Sequence, residues 1–229
     1  DKRNLTDAFV PVTAGMGRIP DNTADWPGGC FGPELGLAEY LSLQYPDETF
    51  YIIKDATGGT GLHDRWYSPS SFAALGVDAL PENSLYAHLL TRVDEGMRLL
   101  EDGGINAKIV AFLWMQGEDD STKVENVSLY DTLWRNLVGD LTADWKSKGY
   151  VADCGLATVD GGLTGRVAWT YSGQINAIKE LYASERSKGH YIDVIGAGLL
   201  TKTSDPAHLD SPSMLALGRL YGEKLSLVF

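Results

Sequence analysis

The segment Thr203–Leu209 contains the residue types of an acid–base pair. Asp205 precedes His208 by three residues, in a polar segment that follows an apolar run. An aspartate held against an imidazole fixes its tautomer, so that the other ring nitrogen can accept a proton from a hydroxyl group. The same spacing also fits an aspartate at a helix start beside a surface histidine, which is the commoner case. The pair therefore indicates hydroxyl activation only in combination with other polar groups.

Two further segments contain groups that could bind a developing oxyanion. Asp55–Gly61 has glycines at positions 58, 59 and 61, where backbone N–H groups can approach a ligand without interference from a Cβ atom. Gln116, within Trp114–Asp120, can donate to such an oxygen through its side-chain NH2 group. Taken alone, the first segment also fits an ordinary glycine turn, and the second fits a charged capping loop.

The elements that position these segments alternate between strands and helices. Apolar and β-branched runs mark the strands, and apolar residues at helical spacing mark the helices. The predicted strands are Phe50–Lys54, Ala107–Met115, Cys154–Val159 and Ile192–Ala197. The predicted helices are Glu34–Leu43, Leu85–Leu100, Leu129–Trp145, Ile175–Ala183 and Ser213–Leu225. This order predicts one α/β domain over residues 1–229, a three-layer α/β/α sandwich with a central parallel sheet.

All three polar segments follow predicted strands. In open parallel sheets, ligands bind beside the carboxyl ends of the strands. We therefore expect Gly58, Gln116 and the Asp205–His208 pair to converge on one rim of the sheet. The combination is far more specific than any one of the segments.

The charge of the chain limits its partners. The net charge is −12, and the isoelectric point is about 4.7. An acidic surface repels phosphate backbones and anionic membranes, so neither nucleic acid nor membrane partners are expected. No apolar run approaches the roughly 18–20 residues that cross a bilayer. A neutral ligand fits this surface.

The cysteines and histidines do not have the spacing of a metal or redox site. The four histidines are scattered without an HExxH pattern, and the two cysteines form no CxxC pair. No metal site is predicted. Cys30 and Cys154 could form a disulfide if the protein is exported, or they could remain two buried thiols.

Four segments together carry a resemblance to a known family. They are FGPELGLAEYL (Phe31–Leu41), GGTGLHDRW (Gly58–Trp66), WMQGEDD (Trp114–Asp120) and DPAHL (Asp205–Leu209). They resemble the sialate O-acetylesterase and plant-type carbohydrate esterase (acetyl xylan esterase) branch of the SGNH/GDSL hydrolases, over nearly the whole chain. The resemblance implies a flavodoxin-like fold. It also implies hydrolysis of acetyl esters on carbohydrate through a serine acyl-enzyme, without a metal or an organic cofactor.

The resemblance assigns roles to individual residues. It implies that His208 is the catalytic base and that Asp205 orients it. It implies that the Gly58 N–H and the Gln116 amide bind the oxyanion, and that Asp120 braces its loop. It also implies export, by analogy with glycan-degrading esterases.

Residues just beyond the glycine cluster are candidates for the substrate side of the site. They are Gly59, His63 and Trp66. An aromatic ring at this position suits the face of a sugar. Packing of Trp66 in the protein core is the alternative.

The family's nucleophilic serine, which lies in a GQSN motif after the first strand, has no counterpart in this sequence. No serine meets the requirement of a strand end with small neighbours. One hypothesis is that the chain begins downstream of the nucleophile, which is then expected upstream. The other takes Ala8–Thr13 as the first strand and Gly15–Gly17 in place of the serine turn, giving a carbohydrate-binding relative without catalysis. Pro11 argues against it, because proline cannot donate a hydrogen bond in a central strand.

Overall fold

The computed structural model describes residues 8–15, 30–165 and 168–228. Its contacts divide the chain into two compact units. The first consists of residues 1–52 and 198–229, and the second consists of residues 53–197. The single domain and its three layers remain predictions from the sequence, and the two units are described separately.

Five helices predicted from apolar spacing are confirmed, with ends that differ by a few residues. With one additional short helix, α2, the helices of the described residues are in chain order α1 (Glu34–Gln44), α2 (Phe72–Leu75), α3 (Leu85–Asp102), α4 (Val124–Ser147), α5 (Ser172–Ser184) and α6 (Ser211–Leu225). The four-residue α2 was not predicted, because it is too short to show a period. A π-helical turn at Leu62–Trp66 and a 3₁₀ turn at Asp120–Thr122 also escaped prediction.

Helix α3 shows why the spacing of apolar residues predicted the helices correctly. The hydroxyl of Ser84 accepts a hydrogen bond from the N–H of Ala87 at 3.2 Å and so caps the first turn. The apolar residues whose helical spacing predicted this helix, called the α3 stripe below, are all buried, namely Leu85, Leu89, Val93, Met97 and Leu100. Burial of one face stabilises the helix more than its intrinsic propensity does.

In the first unit, α1 and α6 pack so closely that only glycine fits at two contact points. A Cβ atom at Gly36 would lie 2.1 Å from the carbonyl oxygen of Leu215. A Cβ atom at Gly218 would lie 2.1 Å from the carbonyl oxygen of Pro33. The two helices thus bring their backbones into direct contact, and α6 follows immediately after the segment that contains His208.

The second unit contains a three-stranded parallel sheet, which confirms the α/β class. Its strands are β1 (Ala111–Trp114), β2 (Ala157–Gly161) and β3 (Gly189–Ile192), in the spatial order β1-β2-β3. The last residue of β1, Trp114, stacks on Trp134 of α4 with ring centroids 5.2 Å apart. This packing fixes the end of β1, from which the segment containing Gln116 continues.

Two predicted strands, Ala107–Met115 and Cys154–Val159, overlap β1 and β2. The other two strand predictions were wrong in position. The predicted strand Phe50–Lys54 is not a strand, and β3 ends where the predicted strand Ile192–Ala197 begins. Ala8–Thr13, the first strand of the alternative without catalysis, is not a strand either. The polar segment predicted as a loop instead forms β5 (Asp205–Leu209), which pairs antiparallel with β4 (Thr201–Lys202). Apolar runs indicate burial, whereas a strand also needs a hydrogen-bonded neighbour that local sequence does not specify.

Three smaller expectations concern the cysteines, the N-terminal turn and membrane spans. Cys30 and Cys154 are both free, and Cys154 is exposed, so neither the disulfide nor a pair of buried thiols is formed. Met16 and Gly17, part of the alternative to the serine turn, lie outside the described residues. None of the helices in the described ranges is long and apolar enough to cross a membrane.

Candidate active site

The predicted acid–base pair is formed within a single short strand of the first unit. Nδ1 of His208 lies 2.5 Å from Oδ2 of Asp205. The other carboxylate oxygen, Oδ1, accepts a hydrogen bond from the N–H of Ala207 at 3.1 Å. The contact between the two residues is confirmed, while their catalytic role stays a prediction.

Electrostatics favour an ionised Asp205. The hydrogen bond from His208 lowers the pKa of the Asp205 carboxyl below its usual value, and the Ala207 N–H lowers it further. An ionised acceptor keeps a proton on Nδ1 of His208 and leaves Nε2 with its lone pair. The histidine side chain is 69% exposed, and among the described residues the ring has no hydrogen-bond partner apart from Asp205. Nε2 is therefore open to a hydroxyl group.

In the second unit, the glycine cluster forms an open tip. A Cβ atom added at Gly58 or Gly59 would meet no other atom within 4 Å in the part of the chain that the structure describes, its chain neighbours apart. Gly59 has a φ of +67°, which a side chain would strain, whereas the φ of Gly58 is not positive. The space beside Gly58 can therefore admit a ligand close to the backbone.

Hydrogen bonds fix the residues that follow this tip. The hydroxyl of Thr60 donates to the carbonyl of Thr57 at 2.8 Å and accepts from Nε1 of Trp66 at 3.0 Å. The N–H of Gly61 donates to Oδ1 of Asp64 at 2.7 Å. Residues 57–62, called the glycine loop below, are thus held by the Thr60 side chain from within and by Asp64 and Trp66 from the turn that follows.

Gln116 is buried beside this loop and donates both of its amide N–H groups within the protein. Nε2 lies 3.1 Å from the carbonyl oxygen of Thr60 and 2.6 Å from Oδ2 of Asp120. The hydroxyl of Tyr130 donates to the main-chain carbonyl of Gln116 at 3.0 Å. An oxyanion can receive an N–H from Gln116 only if one of these bonds is exchanged. The oxyanion role of Gln116 stays a prediction.

Asp120 is the fully buried acceptor of this cluster. Its Oδ2 also accepts from the N–H of Leu62 at 2.9 Å, and its Oδ1 lies 2.7 Å from Nδ1 of His63. The hydrogen bond with Asp120 raises the pKa of His63, although burial opposes the shift. Nothing local in the sequence pairs residues 57 or 58 positions apart, so these contacts were not predicted.

The substrate-side candidates have different surroundings. The Trp66 side chain is buried, and its ring packs edge-on against Trp114 with centroids 5.1 Å apart. Trp66 therefore packs in the protein core, which was the alternative to a substrate role. A ring buried in this way presents no open face to a sugar. His63 is partly exposed, and its Nε2 lies 3.3 Å from Nδ2 of Asn126. Gly59 lies at the open tip. The substrate roles of all three remain predictions.

Two arrangements near the glycine loop could not be read from the sequence. Nδ1 of His88 lies 2.6 Å from Oδ2 of Asp55, a second histidine–carboxylate pair with a buried acid. His63, Asp64 and Asp119 bring one ligand atom each within 4.8 Å of one another, a spacing that could hold a cation. The two aspartates are exposed, and nothing else in the described residues points to a bound ion.

A buried ion pair lies at the carboxyl end of β2. Nζ of Lys179, on α5, lies 2.8 Å from Oδ1 of Asp160 and donates to the carbonyl of Gly161 at 2.9 Å. Both side chains are almost completely buried. Burial raises the pKa of Asp160 to about 6, although Lys179 opposes the shift. The two residues lie 19 positions apart and no local pattern pairs them, so this ion pair was not predicted.

Comparison with known proteins adds a family and a fold. The sequence model of a family described as "Carbohydrate esterase, sialic acid-specific acetylesterase" matches residues 11–226. A crystal structure of a protein from Arabidopsis thaliana is similar over 90% of this chain and 73% of that chain, with a TM-score of 0.63 and 19% sequence identity. At that identity the likeness shows the fold alone. A search of curated proteins gave no match.

Proposed function

The chain belongs to the sialic acid-specific acetylesterase family of carbohydrate esterases, and on that premise we propose that it removes O-acetyl groups from carbohydrate through a serine acyl-enzyme. The proposal includes the SGNH-type, flavodoxin-like three-layer domain. It also includes export of the protein from the cytoplasm, to the compartment in which it would encounter acetylated glycans. The family membership and the acidic surface, which suits a neutral substrate, support it.

The observation that carries the mechanism is the bond between His208 and Asp205. A serine hydroxyl attacks the acetyl carbonyl while Nε2 of His208 takes its proton, and Asp205 stabilises the resulting imidazolium. The sugar oxygen leaves with that proton. A water molecule, activated by the same histidine, then hydrolyses the acetyl-serine and releases acetate.

Oxyanion stabilisation is assigned to the second unit. The Gly58 N–H and the Gln116 amide donate to the tetrahedral intermediate, and each such donor typically contributes about 3–4 kcal/mol. That these donors and His208 act on the same ester is a prediction from the sequence. The nucleophile is expected in the family's GQSN motif, which these 229 residues lack.

The test is acetate release by the full-length protein from acetylated xylan, O-acetylated sialic acid and 4-nitrophenyl acetate. His208→Ala should lower kcat by at least about a thousandfold. His88→Asn is the matched control, because His88 also has a carboxylate at Nδ1. A folded wild-type protein that releases no acetate from any of the three contradicts the proposal and favours a carbohydrate-binding relative. A His208→Ala variant with full activity rejects the assigned base.

A further inference from the structure

Asp120 joins the two segments to which oxyanion binding is assigned. Its carboxylate is fully buried, and one oxygen, Oδ2, accepts from both the Gln116 amide and the Leu62 N–H. A buried carboxylate is tolerated only when donors satisfy it. These donors therefore cannot move away from Asp120 without a large cost. The same carboxylate fixes both the Gln116 side chain and the end of the glycine loop.

The two hydrogen bonds of the Gln116 amide are not equivalent. The contact with Asp120 is short, at 2.6 Å, and its acceptor carries a charge. The contact with the Thr60 carbonyl is longer, at 3.1 Å, and its acceptor is neutral. Charge-assisted hydrogen bonds are about twice as strong as neutral ones. When an oxyanion forms, the amide can give up Thr60 at the lower cost and keep Asp120 as its pivot.

We propose that Asp120 is the positioning residue of the esterase site: it holds the Gln116 amide by one N–H, so that the other is free to exchange from Thr60 to the oxyanion, and it anchors the glycine loop through Leu62. The inference rests on the proposed function. It goes beyond bracing of a loop, because it gives Asp120 a defined effect on the rate of the chemical step.

His63 completes the carboxylate's set of donors. Nδ1 of His63 lies 2.7 Å from Oδ1, the oxygen that neither Gln116 nor Leu62 contacts. If the His63 imidazole is removed, the main-chain N–H of residue 63, at 3.3 Å, is the donor that remains for Oδ1 of Asp120 among these contacts. A change at His63 should therefore loosen Asp120 and lower the rate through the same route.

The main test is Asp120→Asn in the full-length protein. The asparagine oxygen can still accept from Gln116 and Leu62, which share Oδ2, but the acceptor no longer carries a charge. The bond to Gln116 then becomes a neutral one, no stronger in kind than the bond to Thr60, so the pivot is weakened while the side-chain volume is kept. We expect kcat to fall by about 10- to 100-fold, with KM within about twofold of wild type, because misplaced groups slow the chemistry more than they weaken binding. An unchanged kcat would overturn the proposal.

A double-mutant cycle with Gln116→Ala separates positioning from general damage to the fold. If Asp120 acts mainly through Gln116, the double variant should be about as slow as Gln116→Ala alone. Two effects that simply multiply would show independent actions and overturn the proposed route. An inactive wild-type protein would refute the proposed function and the positioning role with it. An active wild-type protein with an unaffected Asp120→Asn variant would refute the positioning role alone.

A second pair of variants decides the case if Asp120→Asn does not fold. His63→Asn and His88→Asn each remove an imidazole that donates to a buried aspartate, with 25% and 29% of the side chain exposed. The aspartate that His63 contacts is Asp120, whereas the one that His88 contacts is Asp55. We expect His63→Asn to lower kcat severalfold and to speed amide hydrogen exchange in residues 57–62, and His88→Asn to do neither. Equal effects of the two variants would overturn the proposal.

Discussion

Asp205 and His208 are joined through Nδ1 of the imidazole, 2.5 Å from the carboxylate oxygen, on the surface of the first unit. An exposed pair of this kind contributes little to the stability of a fold. Its geometry nevertheless fixes the proton on one nitrogen and leaves the other open. The pair therefore has the geometry of a base held ready for a hydroxyl group.

The first prediction concerns Asp205→Asn. An asparagine can donate to Nδ1, which places the histidine in the wrong tautomer, and the imidazolium also loses its counter-charge. We expect kcat for acetate release to fall by about three to four orders of magnitude. The midpoint of thermal unfolding should stay within a few degrees of wild type. A variant that keeps more than a tenth of wild-type kcat would contradict the role of Asp205.

The second prediction uses the open space at the glycine tip. Gly58→Ala adds a methyl group with no atom of the described residues within 4 Å beyond its chain neighbours, so the free energy of unfolding should change by less than about 1 kcal/mol. If the Gly58 N–H approaches the acetyl group, the methyl group should lower kcat/KM by at least about tenfold. Gly59→Ala is the contrast, since its φ of +67° should cost about 1 kcal/mol of stability. Unchanged kcat/KM in Gly58→Ala would remove that residue from the site.

The third prediction separates the two readings of Trp66. Trp66→Phe keeps an aromatic ring in the core but removes the Nε1 hydrogen bond to Thr60. We expect the free energy of unfolding, measured with urea, to fall by about 1–3 kcal/mol. KM for acetylated xylan should stay unchanged, because the buried ring presents no face to a sugar. A rise in KM of tenfold or more would instead place Trp66 at the substrate.

The fourth prediction concerns the turn after Gln116. Gly117 has a φ of +135°, and a Cβ atom there would lie 2.8 Å from Cγ2 of Ile175. Gly117→Ala should lower the free energy of unfolding by about 2–4 kcal/mol, from backbone strain and overpacking together. Gly139→Ala is the control, because Gly139 lies within α4 with open space around it, and alanine should stabilise that helix by about 0.5–1 kcal/mol. Equal effects in a urea titration would contradict the prediction.

The fifth prediction follows from the raised pKa of Asp160, about 6 in the folded protein against 3.8 for the ordinary side chain. The folded protein keeps a proton that the unfolded chain has already released between these values. The stabilising contribution is therefore complete below pH 4 and is lost as the pH rises through 6. Across this window, the free energy of unfolding of wild type should fall by up to about 3 kcal/mol relative to Asp160→Asn. A pH-independent difference would contradict the shift.

Local patterns predicted the features that depend on neighbours in sequence. The α3 stripe lies within one helix, and Asp205 and His208 lie within four residues of each other. Spacing along the chain was therefore enough to predict both features. Strand pairing is not local. The run Phe50–Lys54 is apolar enough for a strand, yet no strand is assigned there, while polar Asp205–Leu209 pairs with β4. Burial tendency therefore did not identify which segments pair.

The candidate site divides in the same way. The resemblance named Gln116 and Asp120, but not the bond between them or the contact from Asp120 to Leu62, 58 residues away. Whether an amide N–H is free or already engaged depends on such distant partners. The sequence could propose Gln116 as a donor, and only the folded chain shows the bonds that it must exchange.

The acid and the base proposed for proton transfer lie on one strand of five residues, β5. A displacement of β5 together with its partner strand β4 would carry both side chains together and leave the bond between them intact. The strength of the base would then be preserved while its distance from any substrate changed. The distance from His208 to a substrate and the basicity of His208 are thus separable properties in this protein. Selection for a larger or smaller ester could change that distance without changing the basicity.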